Sequence, residues 1–245
     1  MGHARSRLGH ASAGDVRMAY GKVFVAGGSK GVGRAIVDKL VEQGSEVVAL
    51  VRREDAKAEL EQLPGVTAVL ADALEIKAVE GALDGCDAAI TTLGGAPEGD
   101  ETQRVDYAGN RNVIESAGIL GVTRVVLVTS VGCGSSREAI SDDVYQVLKK
   151  ALDAKTKAEN MLIKYYTNSD WTIIRPGGLI SEPPTGKSVL TKDTTAAGVI
   201  HRGDVADLVV KVLNSDATIK GIFTAVDPTI KNQYSSEREV AAFQL

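Results

Sequence analysis

An apolar run, Lys22 to Ala26, leads straight into Gly27-Gly-Ser-Lys-Gly-Val-Gly33. Glycines at 27, 31 and 33 let the chain turn tightly and bring bare backbone against a ligand, and a helix opening inside the turn aims free N–H groups at it. Strand, glycine turn and helix in that order make a cradle for the diphosphate of a dinucleotide. Ser29, Lys30 and Val32 complete the turn; the competing use of such glycines is close packing without a ligand. A second apolar run, Glu46 to Val51, ends at Arg52 and Arg53, with no acid before Glu54. An acid there would accept hydrogen bonds from the adenosine ribose of NAD, whereas a guanidinium pairs bidentately with the 2′-phosphate of NADP. Lys30, Arg52 and Arg53 therefore favour NADP(H) over NAD(H), the alternative being a solvated basic turn. Asp72, with Ala73, follows a third run and is placed to meet the adenine amino group. Thr92-Leu93-Gly94, after a fourth, would pass the neighbouring ribose.

Groups so widely spaced along the chain need a scaffold that gathers strand ends at one edge. Apolar runs at Lys22–Ala26, Glu46–Val51, Val66–Ala71, 87–92, 124–130 and Trp171–Pro176 are rich in Val, Ile and Leu throughout. That continuity suits parallel strands covered on both faces. Helical patterns fall between them: Val32–Gln43 stopping at Gly44, one ending at Asp84-Gly85, and one through Asn112 and Ala117 to Gly121. A long helix, Asp142–Tyr166, is expected to break near Lys150. Irregular chain then reaches a short helix opened by Asp204, and Gly221–Val226 offers a last strand. The fold class is α/β, a doubly wound parallel sheet.

The remaining arithmetic excludes several functions. The 245 residues carry 28 Lys and Arg against 32 Asp and Glu, which argues against a nucleic-acid partner. No apolar run approaches the ~20 residues of a membrane-spanning helix. Two cysteines, Cys86 and Cys133, and three histidines leave neither a disulfide framework nor metal-ligand spacing, so no metal is expected. Residues 1–17, Arg- and Ser-rich without apolar periodicity, read as an extension: an expression remnant before a start at Met18, or a presequence remnant. Residues 18–245 read as one domain.

Together with the glycine turn, Asp106–Ala117, Val126–Gly134, the Lys155–Asn160 helix, Thr172–Leu179, Ser181–Gly186 and Ile200–Val209 resemble the atypical short-chain dehydrogenase/reductase family. The likeness is to its NmrA-like, NAD(P)-binding branch of plants, algae and cyanobacteria, and it spans Lys22 to Val226. The resemblance implies a Rossmann-type domain with a small C-terminal substrate region. It also implies a chloroplast stromal address in a plant or alga, and otherwise a cytoplasmic one. It does not imply one reaction, since members include reductases, cofactor-sensing regulators and assembly factors.

Catalysis in the parent superfamily rests on Ser, Tyr and Lys. Tyr protonates the substrate carbonyl as hydride arrives, Lys lowers the Tyr pKa and holds the nicotinamide ribose, and Ser fixes the carbonyl. Ser130 matches the Ser, with Thr129 beside it. Lys155, preceding Ala158-Glu159, matches the Lys, but Ala151 stands four residues earlier where the Tyr belongs. Tyr145 and Lys149 do carry the Tyr-x-x-x-Lys spacing, so both pairs stay open, with the family pattern favouring Lys155. By resemblance, Pro176, Gly177, Gly178 and Leu179 face the nicotinamide carboxamide, and the 181–186 loop borders the substrate. Cys133, just past Ser130 in a Gly-rich turn, reads as a bland free thiol, the alternative being a redox role in the pocket, and His201 with Arg202 reads as an ion-pair corner. Two functions are carried forward. One is an NADPH-dependent reductase of a small molecule whose acceptor, such as a flavin or a conjugated system, needs no phenolic acid. The other is a catalytically silent, NADP(H)-sensing regulator, scaffold or assembly factor acting through a protein partner.

Overall fold

The computed structural model describes residues 20–95, 105–233, 235 and 239–245, so the 1–17 extension lies outside the described residues. Strands β1 (Lys22–Ala26), β2 (Glu46–Val51), β3 (Val66–Leu70), β4 (Ala88–Thr91), β5 (Arg124–Val128) and β6 (Asp170–Pro176) stand in the order β3-β2-β1-β4-β5-β6. All of these neighbours pair in parallel. The order reverses direction between β1 and β4, opening a crevice at the carboxyl ends of the strands. Beyond β6 the sheet continues through β10 (Gly221–Val226), which is parallel, to β8 (Val189–Thr191), which is antiparallel. A separate two-stranded layer joins β7 (Gly178–Ile180) to β9 (Val199–His201).

Helices cover both faces, as the unbroken apolar strands require. One core holds α1 (Gly31–Glu42) and α6 (Arg202–Leu213) against the sheet through Ile36, Leu40, Val205 and Val209. The other holds α3 (Ile76–Leu83), α4 (Ala108–Leu120) and α5 (Asp142–Tyr165) through Val79, Val113, Ala158 and Leu162. Fully buried side chains such as Phe24 and Ile90 each contribute ~1.5–3 kcal/mol relative to exposure. Arg124, also fully buried, donates to the carbonyls of Val212 and Leu213 at the end of α6 and to Asp170 O, tying helix to sheet at the edge away from the crevice.

Several local expectations change. The helix from Asp142 runs unbroken past Lys150. It contains neither Gly nor Pro, and Tyr145 and Lys149 both bond Asp153, spanning the expected break. Asp204 does not open α6: His201 is the cap residue, and the Asp204 carboxylate instead accepts the amides of Thr185 and Gly186 at 2.9 Å each. A short helix α2 (Glu54–Leu60) lies between β2 and β3, and the chain after β6, expected to be irregular, forms β7, β8 and β9.

Candidate functional site

A cleft of about 1210 Å³ lies over the crevice. Its lining gathers most of the residues the sequence singled out: Gly27, Ser29, Lys30, Gly31, Val32, Gly33, Arg52, Arg53, Ala73, Thr92, Leu93, Gly94, Thr129, Ser130, Lys155, Pro176 and Leu179. The glycines have distinct reasons to be glycine. Gly27 and Gly31 hold φ values of +86° and +59°, where side chains are strained. A Cβ on Gly33 would collide with the Gly27 carbonyl, so α1 could not start so close to β1. On Gly31 a Cβ would project into space whose nearest atoms, from Arg202, are 3.7 Å away. The first turn of α1 has no acidic residue, and its cap residue Lys30 makes no side-chain bond to it. Its N–H groups and their partial positive charge therefore face the cleft, as an anionic diphosphate requires.

At the β2 end the cations differ. Arg52 lines both the cleft and an adjoining hollow of about 410 Å³ that it shares with Arg53, Leu70, Ala71 and Asp72. Neither Arg52 nor Lys30 forms an ion pair among the described residues, while Arg53 pairs with Asp55 at 3.0 Å. Arg34 is turned to Asp38 and Glu59. Asp72 lines the hollow but not the main cleft, and its carboxylate accepts the Leu74 amide at 2.9 Å.

The other end of the cleft is organised around Lys155. Its ammonium donates to the Leu93 carbonyl at 2.9 Å and pairs with Asp106 at 3.2 Å. Gly94 makes room for it, since a Cβ there would stand 2.7 Å from Nζ. One helical turn on, buried Glu159 takes Arg175 bidentately at 3.0 and 2.7 Å and accepts the Thr129 hydroxyl at 2.6 Å. This tie pins α5, which carries Lys155, to the ends of β5 and β6, where Thr129 stands next to Ser130. The Ser130 hydroxyl donates to the Val131 carbonyl at 2.9 Å. Ala151 lines the cleft four residues before Lys155, and among the described lining residues there is no tyrosine or histidine.

Some expected residues lie elsewhere. Tyr145 is not among the lining residues; its hydroxyl bonds Asp153, its ring lies under Arg137 at 3.9 Å, and Lys149 pairs with the same Asp153. Gly177 and Gly178 are not among the lining residues either, and their amides donate to the carbonyls of Ala225 and Gly198 at 2.9 Å. Cys133 is fully buried, and burial pushes its thiol up to about 12, which leaves it unreactive. The paired corner expected of His201 and Arg202 divides. His201 approaches Asp204 at 3.4 Å, while Arg202 lines the cleft. His201, Asp204 and Asp227 bring their ligand atoms within 4.8 Å of one another. The carboxylates already accept from Thr185, Gly186 and Thr229, however, so the cluster works as a buried anchor for the 185–186 turn.

Sequence reasoning gave no role to Asp106, Asn110 or Asn112, and used Glu159 only as a pattern residue beside Lys155. Asn110 takes the Thr91 hydroxyl and donates to the Leu93 and Asp106 carbonyls. Asn112 donates to the Ala73 carbonyl at 2.8 Å. These side chains hold strand-end backbone in place.

Residues 27–216 match the family described as NAD(P)H-binding. YhfK of Bacillus subtilis (strain 168), named an uncharacterized sugar epimerase, is 35% identical over 202 residues, which cover 80% of this chain and 90% of that protein. The chloroplastic protein At2g34460 of Arabidopsis thaliana is 36% identical over 202 residues, covering 78% and 71%. Among solved structures, ChuY of Escherichia coli O157:H7, an anaerobilin reductase, superposes with a TM-score of 0.77 at 31% identity, covering 86% of this chain and 99% of that one. With the switch-point cleft and its glycine turn, these matches show that the chain belongs to the NAD(P)H-binding family, among relatives of the atypical, NmrA-like short-chain dehydrogenase/reductase type.

Proposed function

We propose that the protein is an NADPH-dependent reductase of a small conjugated molecule that works without a phenolic proton donor. The observation that carries this reading is Ser130 and Lys155 together in the cleft; Ala151, where a proton-donating tyrosine would stand, restricts the acceptor to one that needs no phenolic proton. The turn from Gly27 to Gly33 and the start of α1 take the diphosphate, and Lys30 and Arg52 take the 2′-phosphate, with Arg53 helping once released from Asp55. Lys155 holds the nicotinamide ribose, its position set by Leu93 and Asp106. NADPH held there would supply a hydride to the acceptor, whose displaced π electron pair would be taken up by the conjugated system and protonated by water, leaving hydroxide. Ser130 orients the acceptor beside the hydride.

That ChuY is an anaerobilin reductase supports a conjugated acceptor over a simple ketone. The chloroplastic relative supports a plastid location, within which we place the protein in the stroma if the chain is from a plant or alga. The absence of the tyrosine favours a second reading, a regulator that reports NADP(H) to a protein partner. Calorimetry with NADPH and NADH, then NADPH consumption against a quinone, flavin and aldehyde panel, separates them. Tight NADPH binding with turnover of a quinone or flavin is expected. Tight binding with no turnover of any acceptor favours the regulator, and equal affinity for the two cofactors refutes the 2′-phosphate assignment.

A further inference from the structure

The cation at the glycine turn that lies farthest from it in sequence is Arg202, the first residue of α6. Its Nε and Cδ lie 3.7 and 3.8 Å from the point where a Cβ on Gly31 would stand, and among the described residues no other segment comes within 4 Å of that point. Its Nη1 donates to the Ser181 hydroxyl at 2.7 Å, and both side chains line the cleft. Among the described residues the guanidinium forms no ion pair. The backbone beneath it is firmly held: His201 approaches buried Asp204, which binds the turn at Thr185 and Gly186. Arg202 is thus carried on an anchored corner, poised by Ser181, and overhangs the positive end of α1.

Resting on the reading that the cleft binds a nicotinamide dinucleotide, we propose that Arg202 closes the diphosphate site from the side opposite the glycine turn. Backbone amides at the start of α1 would take one set of diphosphate oxygens, and the planar guanidinium another. The proposal separates two kinds of cation. Arg52, at the end of β2, would read the 2′-phosphate and so discriminate between cofactors. Arg202, at Gly31, would meet the diphosphate that both cofactors share and so add affinity without discrimination.

The experiment is titration of the intact protein with NADPH and with NADH, in the wild type and in Arg202→Ala, Arg202→Lys and Arg52→Ala. Arg202→Ala is expected to raise both dissociation constants by a common factor of about ten or more, the worth of a charge-assisted pair. Arg202→Lys keeps the charge without the fork and should recover part of that loss. Arg52→Ala should raise the NADPH constant alone. Thermal melts without ligand report whether each variant is folded, and Ser181→Ala, which frees the guanidinium without removing it, should weaken both cofactors by a smaller common factor. Unchanged constants in folded Arg202→Ala, or a loss confined to NADPH, would overturn the assignment while leaving the cofactor reading intact. A wild type that binds neither cofactor would overturn both.

Discussion

Replacing Lys155 by Ala should produce two losses of separate origin. The ammonium is only 13% exposed, and it pairs at 3.2 Å with Asp106, whose side chain is fully buried. Removing one partner of a buried pair costs ~3–5 kcal/mol, and the partial exposure of Lys155 places this case near ~3 kcal/mol. For a chain of this size that is a fall in Tm of ~6–12 °C. The second loss belongs to the ligand. If Lys155 also donates to the nicotinamide ribose, its removal should cost a further ~1–2 kcal/mol of NADPH affinity, about 5- to 30-fold in Kd. Pairing Lys155→Ala with Asp106→Asn distinguishes the two. The double variant removes the charge that Lys155 faces as well as Lys155 itself, so it should regain part of the lost Tm, yet its Kd should stay raised. Ligand-free melts and a fluorescence titration with NADPH measure both quantities. A Kd equal to the wild type's in Lys155→Ala, with Tm lowered, would make Lys155 a strut between α5 and β4 and nothing more. Recovery of Kd along with Tm in the double variant would trace the binding loss to distortion.

Other expectations rest on different parts of the molecule. Arg52→Ala should erase most of an NADPH preference of at least about tenfold, because one charge-assisted pair is worth ~1.5–3 kcal/mol; parallel calorimetry with NADH checks it. Gly31→Val should abolish NADPH-induced thermal stabilisation while circular dichroism keeps its α/β signature, since the side chain would enter the open space facing Arg202 at a φ of +59°. Tyr145→Phe should leave NADPH affinity and turnover within about twofold, because the hydroxyl serves Asp153 outside the cleft lining. Asp227→Asn should flatten the acid limb of the stability curve. Burial alone would raise the Asp227 pKa, but hydrogen bonds from Thr185 and Thr229 outweigh it and bring it below the ordinary value. A depressed carboxylate stabilises the fold above the unfolded value of about 3.9 and loses that contribution as pH falls below it, which acid unfolding of the two proteins would compare.

The parallel strands were readable because a strand buried on both faces needs apolar residues at every position, and β1 and β2 have the expected bounds. Weakly buried elements carry no such signature. Helix α2 buries only Ala56 and Leu60, too little for a 3.6-residue period to emerge. Strands β7 and β8 are three residues long and only partly buried, and what defines them is a partner strand distant in sequence. The expected break near Lys150 rested on local pattern, and side-chain bonds across that point decided otherwise.

The cleft divides along the same line. Its glycine-turn end is built mainly from a contiguous turn and a strand terminus, with Arg202 a contributor from a remote segment, so residue type and spacing describe most of it. Its opposite end is built by contacts between remote segments, and there spacing misleads. Tyr145–Lys149 and Lys155–Glu159 have the same four-residue separation on the same helix. What distinguishes them is what each meets. Glu159 finds Arg175 from β6 and Thr129 at the end of β5, which buries that face of α5 and brings Lys155 to Leu93 and Asp106. Tyr145 and Lys149 meet Asp153 of their own helix and Arg137 from the preceding turn, contacts that need no sheet. A four-residue spacing can therefore name a shared helix face but not which way that face points. Here the direction is set by a buried carboxylate, Glu159, and by Arg175 of β6, the cation that meets it.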